Sequence, residues 1–317
     1  MKRVATVASA AFVIGFVIGG YFLHPIRPST GRSVREKNNK DYAFINPLLA
    51  CEFADSKDVK LSTMEERART YIAQAKSQGL ITDAGFYTRI GSGWTGVNEN
   101  GMFTPASLYK VPILITYLKI ADQSPELLNE KIDFTLPITS GAQYITPAEK
   151  LVRGETYTID DLLNRMIVYS DNDAESFLFR HISQKYFEDV FSDLGLPVPN
   201  NTTQPKITPK QYAFFLRVLY NASYLGRPAS ERALKLLSEA QFKDGIEAGL
   251  PEGITAAHKF GEFKDMTGTE LHDCGTIYAK ARTYTLCVMT RGKNEADLSE
   301  VIRNISKIVY EEQSKVL

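Results

Sequence analysis

Three short runs of this sequence hold residues whose types and spacing could attack a carbonyl compound. In Phe103-Thr-Pro-Ala-Ser107-Leu-Tyr-Lys110-Val-Pro a serine stands near the start of a predicted helix, and Lys110 follows three residues on, one turn away on the same face. A serine hydroxyl is a poor nucleophile until a base takes its proton, and a lysine with a pKa lowered by desolvation can take it. The helix N-terminus adds a positive field and free N–H groups for an oxyanion. In Tyr169-Ser170-Asp171-Asn172-Asp173, Ser170 offers a hydroxyl able to relay a proton, and Asn172 an amide able to hold a substrate carbonyl or Lys110. The same run also reads as a helix N-cap with an Asx turn. In Ala257-His258-Lys259-Phe260-Gly261, at the end of a predicted strand, Lys259 can attract a carboxylate and Gly261 leaves room for an acyl chain along the strand edge. Lys243-Asp-Gly245 fits the same bare pattern, but Lys243 ends a helix outside the predicted sheet. Each run alone is weak, since about one Ser-x-x-Lys arises by chance in a chain of this length.

For these runs to meet, the chain must fold back on itself. Residues 84–90 read as a strand, and Gly91-Ser-Gly93 turns the chain into a second strand from Trp94. Strands return at about 254–260, 270–279 and 284–291, the last two joined across Lys280-Ala-Arg-Thr283. Two early strands cannot make a stable sheet alone, so they are expected to pair with the three late ones. The expected fold is α/β (α+β): a five-stranded antiparallel sheet from residues 62–104 and 250–317, flanked by helices, with an all-α subdomain inserted over 105–249. Ser62-Thr-Met-Glu65 reads as a capping box, with Met64, Ala68, Tyr71, Ile72 and Ala75 at helical spacing behind it. Leu162, Leu163, Met166 and Ile167 mark one apolar face in the insert, and Phe214, Leu216, Val218 and Leu219 another. Asn294 caps a last helix carrying Leu298, Val301, Ile302, Ile305, Ile308 and Val309.

The 317 residues hold 37 Lys+Arg against 37 Asp+Glu, so no net charge draws the chain to nucleic acid. With 44% hydrophobic residues it can bury a large core. Neither a phosphate-binding glycine loop nor an H-E-x-x-H or H-x-H group occurs, so no cofactor or metal is expected. Lys2 and Arg3 precede an uncharged run over residues 4–23, about 30 Å long as a helix, and Tyr21-Phe-Leu-His24 at its end offers no A-x-A cleavage pattern. It reads as an uncleaved single-pass transmembrane anchor (1–23), followed by a basic, proline-containing linker over 24–61. Basic residues flank both ends of the span, so they leave its orientation open, and the chemistry places the C-terminal part outside. Gly15 and Gly19 match a helix-pairing pattern that two ordinary membrane glycines would equally produce. Leu48-Leu-Ala-Cys51 looks like a lipidation box, but no apolar run precedes it, and Cys51 reads as structural. Cys274 and Cys287 fall on the two hairpin strands, where a cross-strand disulfide and two buried thiols are both open.

Taken together and in this order, Ser107-x-x-Lys110, Ser170-Asp-Asn172 and Lys259-x-Gly261 resemble the signature set of the class A β-lactamase and penicillin-binding protein superfamily. The resemblance covers about residues 62–313 and extends to Arg165-Met-Ile-Val-Tyr and to Gly245-Ile-Glu-Ala-Gly-Leu-Pro-Glu-Gly253. It implies the β-lactamase-like fold, with the site between the sheet and the helical insert. It also implies Ser107 as acylated nucleophile, Lys110 as its base and Ser170 as proton donor to the leaving nitrogen. Asn172 and Lys259 would bind the substrate amide and carboxylate, and the N–H groups of Ser107 and Glu262 would form the oxyanion hole. The implied substrate is a β-lactam or a peptidoglycan stem peptide, met at the bacterial cell membrane by a catalytic domain outside the cytoplasm. A D,D-peptidase is the nearest rival, and a non-catalytic cell-wall binding module is a rival of another kind. The sequence departs from the family twice. Phe260 stands where the family usually has a hydroxyl residue, and residues 194–209 lack the glutamate with which class A lactamases activate water. Slow release of the acyl group is therefore expected.

Overall fold

The computed structural model describes residues 42–47, 56–57, 61–137, 150–199 and 204–315. The expected membrane span at 4–23, the tether up to residue 41 and Cys51 lie outside them. Among the described residues no helix is long and apolar enough to cross a membrane. The elements run in the order β1 (Ser56–Lys57), α1 (Ser62–Ser77), β2 (Asp83–Ile90), β3 (Gly93–Val97), a 3-10 turn (Ala106–Tyr109) and α2 (Lys110–Ala121). Next come β4 (Lys131–Asp133), β5 (Thr156–Thr158), α3 (Ile159–Val168), α4 (Asn172–His181), α5 (Gln184–Asp193), α6 (Pro209–Tyr220) and α7 (Arg227–Ser238). The chain ends with β6 (Thr255–Asp265), β7 (Gly268–Tyr278), β8 (Thr283–Gly292) and α8 (Glu295–Gln313).

The early and late strands share one sheet, in the order β1-β3-β2-β8-β7-β6. The join is β2 against β8, antiparallel from Asp83↔Arg291 to Ile90↔Tyr284. Five strands are antiparallel, and β1 adds a sixth, two-residue strand parallel to β3. Both faces of the sheet are covered, so alternation shows as a choice of core rather than as exposure. Phe86, Leu271 and Val288 face α1 and α8, whereas Tyr87, Cys274 and Met289 face the helical insert. Cys274 and Cys287 stand opposite each other in β7 and β8 and are joined as a disulfide.

In α8 the apolar stripe Leu298, Val301, Ile302, Ile305 and Val309 is buried, and the Asn294 side chain accepts from Asp297 N–H at its start. Each fully buried aliphatic side chain contributes about 1.5–3 kcal/mol and a cap about 1 kcal/mol, so packing rather than the cap holds this helix.

Three expectations need correction. The Ser62–Glu65 capping box does not form: no side chain caps α1, and the Glu65 carboxylate takes Thr95 Oγ1 at 2.9 Å and Arg69 Nη2 at 2.7 Å instead. A capping box does form at Thr208 and Gln211, where α6 begins. The insert is not wholly helical, since β4 and β5 pair as a ribbon. Residues 42–47, expected to be tether, lie against the domain. Glu231 accepts N–H bonds from Ala43, Phe44 and Ile45, and Tyr278 Oη donates to Phe44 O.

Candidate active site

The nucleophile run is fixed before it is turned. The Phe103 strand residue bridges Ile207, Thr104 N–H donates to Glu270 Oε2 at 2.7 Å, and His272 Nε2 donates to Thr104 O at 2.8 Å. The His272 tautomer follows from its other nitrogen, because Nδ1 accepts from Thr290 N–H. Burial would raise the Glu270 pKa, but hydrogen bonds from His272, Thr104 N–H and Arg291 outweigh it and bring it down to about 2. Ala106 then takes φ 49°, a left-handed conformation costly for a residue with a side chain, and Ser107 follows in the 3-10 turn. α2 is buried on nearly every side, which makes Lys110 at its first position a fully buried lysine.

The Lys110 amine is the centre of the site. Its Nζ lies 3.0 Å from Ser107 Oγ, 3.0 Å from Ser170 Oγ, 2.6 Å from Ser170 O and 2.6 Å from Asn172 Oδ1. Ser170, also left-handed at φ 57°, closes the turn between α3 and α4. Asp171 caps α4, its Oδ1 accepting from Asp173 and Ala174 N–H, and so sets Asn172 at the helix start facing Lys110. The cap reading and the chemical reading of this run are therefore both realised. Lys259 Nζ donates to Ser170 Oγ at 2.8 Å and to Phe260 O at 2.9 Å. Ser170 Oγ is thus shared by two buried amines.

Burial pushes the Lys110 pKa down, opposed by Glu175, Asp171 and Glu262. Burial also pushes Lys259 well down, helped by the charge of Lys110. Each lowering shifts its amine toward the neutral form, the form that can take the Ser107 proton.

The third run differs in detail from its expected use. Lys259 has no exposed surface and touches Ser170, so its amine is placed for a proton relay rather than offered at an open surface. The room left by Gly261 is taken by protein. A Cβ there would come within 2.7 Å of Pro105 O and 3.1 Å of Leu108 N, so the glycine lets β6 close on the nucleophile turn. Phe260 supplies no hydroxyl and stacks on Phe242 with ring centroids 4.4 Å apart. Glu262 stands on β6, the edge strand, three residues beyond Lys259, and its charge acts on both Lys110 and Lys259. The rival lysine, Lys243, makes an exposed pair with Glu247 outside the sheet.

One carboxylate escaped the sequence reading. Glu175 Oε2 lies 3.4 Å from Lys110 Nζ. The signal was its spacing, three residues after Asn172 on a helix capped by Asp171, which puts both side chains on one face.

A serine hydroxyl, two pKa-lowered amines and a bridging serine, set between a sheet edge and a helical insert, can perform acyl transfer. Residues 65–313 match the family described as Beta-lactamase enzyme family. The chain belongs to that family. The solved structure of PBP-A superposes with a TM-score of 0.71, at 22% identity over 82% of this chain and 99% of that one. A PBP-A mutant seen as an acyl-enzyme complex with penicillin G gives 0.68, at 24% identity over 80% and 97%. A class A β-lactamase from Mycobacterium abscessus gives 0.67, at 22% identity over 78% and 99%. At these identities the likeness is one of fold. No curated protein sequence matches this β-lactamase-family chain.

Proposed function

We propose that this serine hydrolase is acylated at Ser107 by β-lactams, and that release of the acyl group is slower than its formation. The observation that carries the reading is the contact of one buried amine, Lys110 Nζ, with both Ser107 Oγ and Ser170 Oγ at 3.0 Å. Neutral Lys110 takes the Ser107 proton as Oγ bonds to the lactam carbonyl carbon. The N–H groups of Ser107 and Glu262 receive the oxyanion. When the carbon–nitrogen bond breaks, Ser170 Oγ gives its proton to the nitrogen and recovers one from the amines of Lys110 or Lys259. Asn172, bonded to Lys110, orients it and meets the substrate amide. Lys259 acts through Ser170 and adds positive potential for a substrate carboxylate.

Slow release follows from the 194–209 stretch, which holds no carboxylate. The same feature favours a second reading, a D,D-peptidase acting on peptidoglycan stem peptides and trapped by penicillin. A non-catalytic wall-binding module is disfavoured, because it would need no buried amine on a serine. The reading places the domain outside a bacterial cytoplasm, anchored by residues 4–23, and the Cys274–Cys287 disulfide supports an oxidising compartment.

Intact-mass analysis during incubation with a fluorescent penicillin tests the reading. It expects an adduct that forms quickly and decays slowly. Decay as fast as formation would contradict the slow-release half, and no adduct would contradict acylation itself.

A further inference from the structure

The acylation set accounts for Ser107, Lys110, Ser170, Asn172 and Lys259, but not for Glu175. This carboxylate comes from α4, between sheet edge and insert, rather than from the stretch before α6. Its Oε2 stands 3.4 Å from Lys110 Nζ, and the Ser107 Oγ stands 3.0 Å from the same nitrogen. The carboxylate and the nucleophile oxygen are thus separated by at most these two legs end to end, a gap that one water molecule can bridge. The side chain is 26% exposed and borders a cavity of about 400 Å³ shared with Tyr109, Phe187 and Pro205, so solvent reaches it.

The other acids near Lys110 are placed differently. Asp171 spends Oδ1 on the cap of α4, and the charge of Glu262 acts on Lys110 more weakly than that of Glu175. A structural reading of Glu175, as a plain counter-ion for Lys110, meets an objection. Lys110 already has four oxygen partners at 3.0 Å or closer, and a carboxylate holds it protonated, which opposes its work as a base.

We propose that Glu175 takes the proton of the water that releases the acyl group from Ser107. The inference rests on the acyl-enzyme reading above. Water oxygen bonds to the ester carbon while one of its protons passes to the Glu175 carboxylate. The oxyanion returns its electrons, the carbon–Oγ bond breaks, and Glu175 passes its proton through neutral Lys110 to Ser107 Oγ, which restores all three groups and leaves the product acid. A carboxylate on a helix one turn from Asn172 thereby carries the slow release that remains without a loop carboxylate.

The test compares the wild-type chain with Glu175→Gln and Glu175→Asp, using benzylpenicillin and intact mass for both adduct formation and adduct decay. Adduct formation by Glu175→Gln should stay within a few-fold of wild type, and decay should slow about 10²-fold or more, the usual loss for a general base. Glu175→Asp, which withdraws the same group by one methylene, should form adduct normally and release it at an intermediate rate. This variant carries the test if the glutamine variant does not fold. Decay at the wild-type rate in either variant overturns the proposal. So does an equal loss of formation and decay, which would mean that the carboxylate acts only through Lys110. A wild-type chain that forms no adduct defeats the acyl-enzyme reading first, a result distinguishable from either.

Discussion

His258 and Lys259 are neighbours in β6, stand on opposite faces of it, and are treated in opposite ways. Both are fully buried. His258 Nδ1 lies 2.8 Å from Asp273 Oδ1, and its Nε2 lies 3.5 Å from Glu247. Burial would lower its pKa, but these two carboxylates outweigh burial and raise it to about 9. Asp273 Oδ2 also accepts from Ile246 N–H, so the cluster ties the segment after α7 to the sheet. Across the strand, burial pushes Lys259 well down, and the charge of the Lys110 amine adds to the lowering. The back face pairs its buried cation with carboxylates, whereas the front face holds two pKa-lowered amines around Ser170, the setting that the proposed acylation uses.

The largest expected effect breaks the comparison from the front. Lys110→Met keeps a side chain of similar length and removes the amine. The rate of adduct formation with penicillin should fall about 10²–10⁴-fold, while the thermal midpoint stays close to wild type. A rate within a few-fold of wild type would show that Lys110 is not the base.

Next in size is a break from the back. Asp273→Asn leaves His258 buried without its main counter-charge and should cost about 3–5 kcal/mol in denaturant unfolding, with adduct formation per folded molecule nearly unchanged. The pH dependence sharpens the same point. His258 is raised from 6.5 to about 9 by folding, so it holds the extra proton more tightly when folded. Its contribution, on the order of 3 kcal/mol, is full below pH about 6.5 and lost as pH rises through about 9. Unfolding curves measured across that window should show the decline in wild type and a much flatter profile in Asp273→Asn. The smallest effect is Asn294→Ala at the start of α8, which should lower stability by about 1 kcal/mol and leave acylation untouched.

The residues of the front face were legible in the sequence because their chemistry demands particular types at particular spacing. Ser107 and Lys110 come together as their spacing implies, and Ser170, Asn172 and Lys259 join them as the family resemblance implies. That the early and late strands share one sheet was legible too, because two early strands had to find partners among the late ones. What escaped depends on contacts between elements distant in sequence. Glu65 fits a capping box locally, but Thr95 from β3 and Arg69 compete for its carboxylate. Residues 42–47 read as tether by composition, and it is residues far along the chain, Glu231 and Tyr278 among them, that hold them. Gly261 reads as room for a ligand until Pro105 is seen to fill it. Glu175 was hidden because its spacing from Asn172 matters only once α4 is known to begin at Asp171 and to face Lys110.

The central claim is that the covalent bond forms at Ser107, and intact mass of wild type and Ser107→Ala after brief exposure to benzylpenicillin tests it most directly. Wild type should gain the mass of one penicillin, mapping to the peptide that contains Ser107, and Ser107→Ala should gain none while keeping its thermal transition. An undiminished adduct on the folded alanine variant, or a wild-type adduct mapped to another residue, would contradict the account.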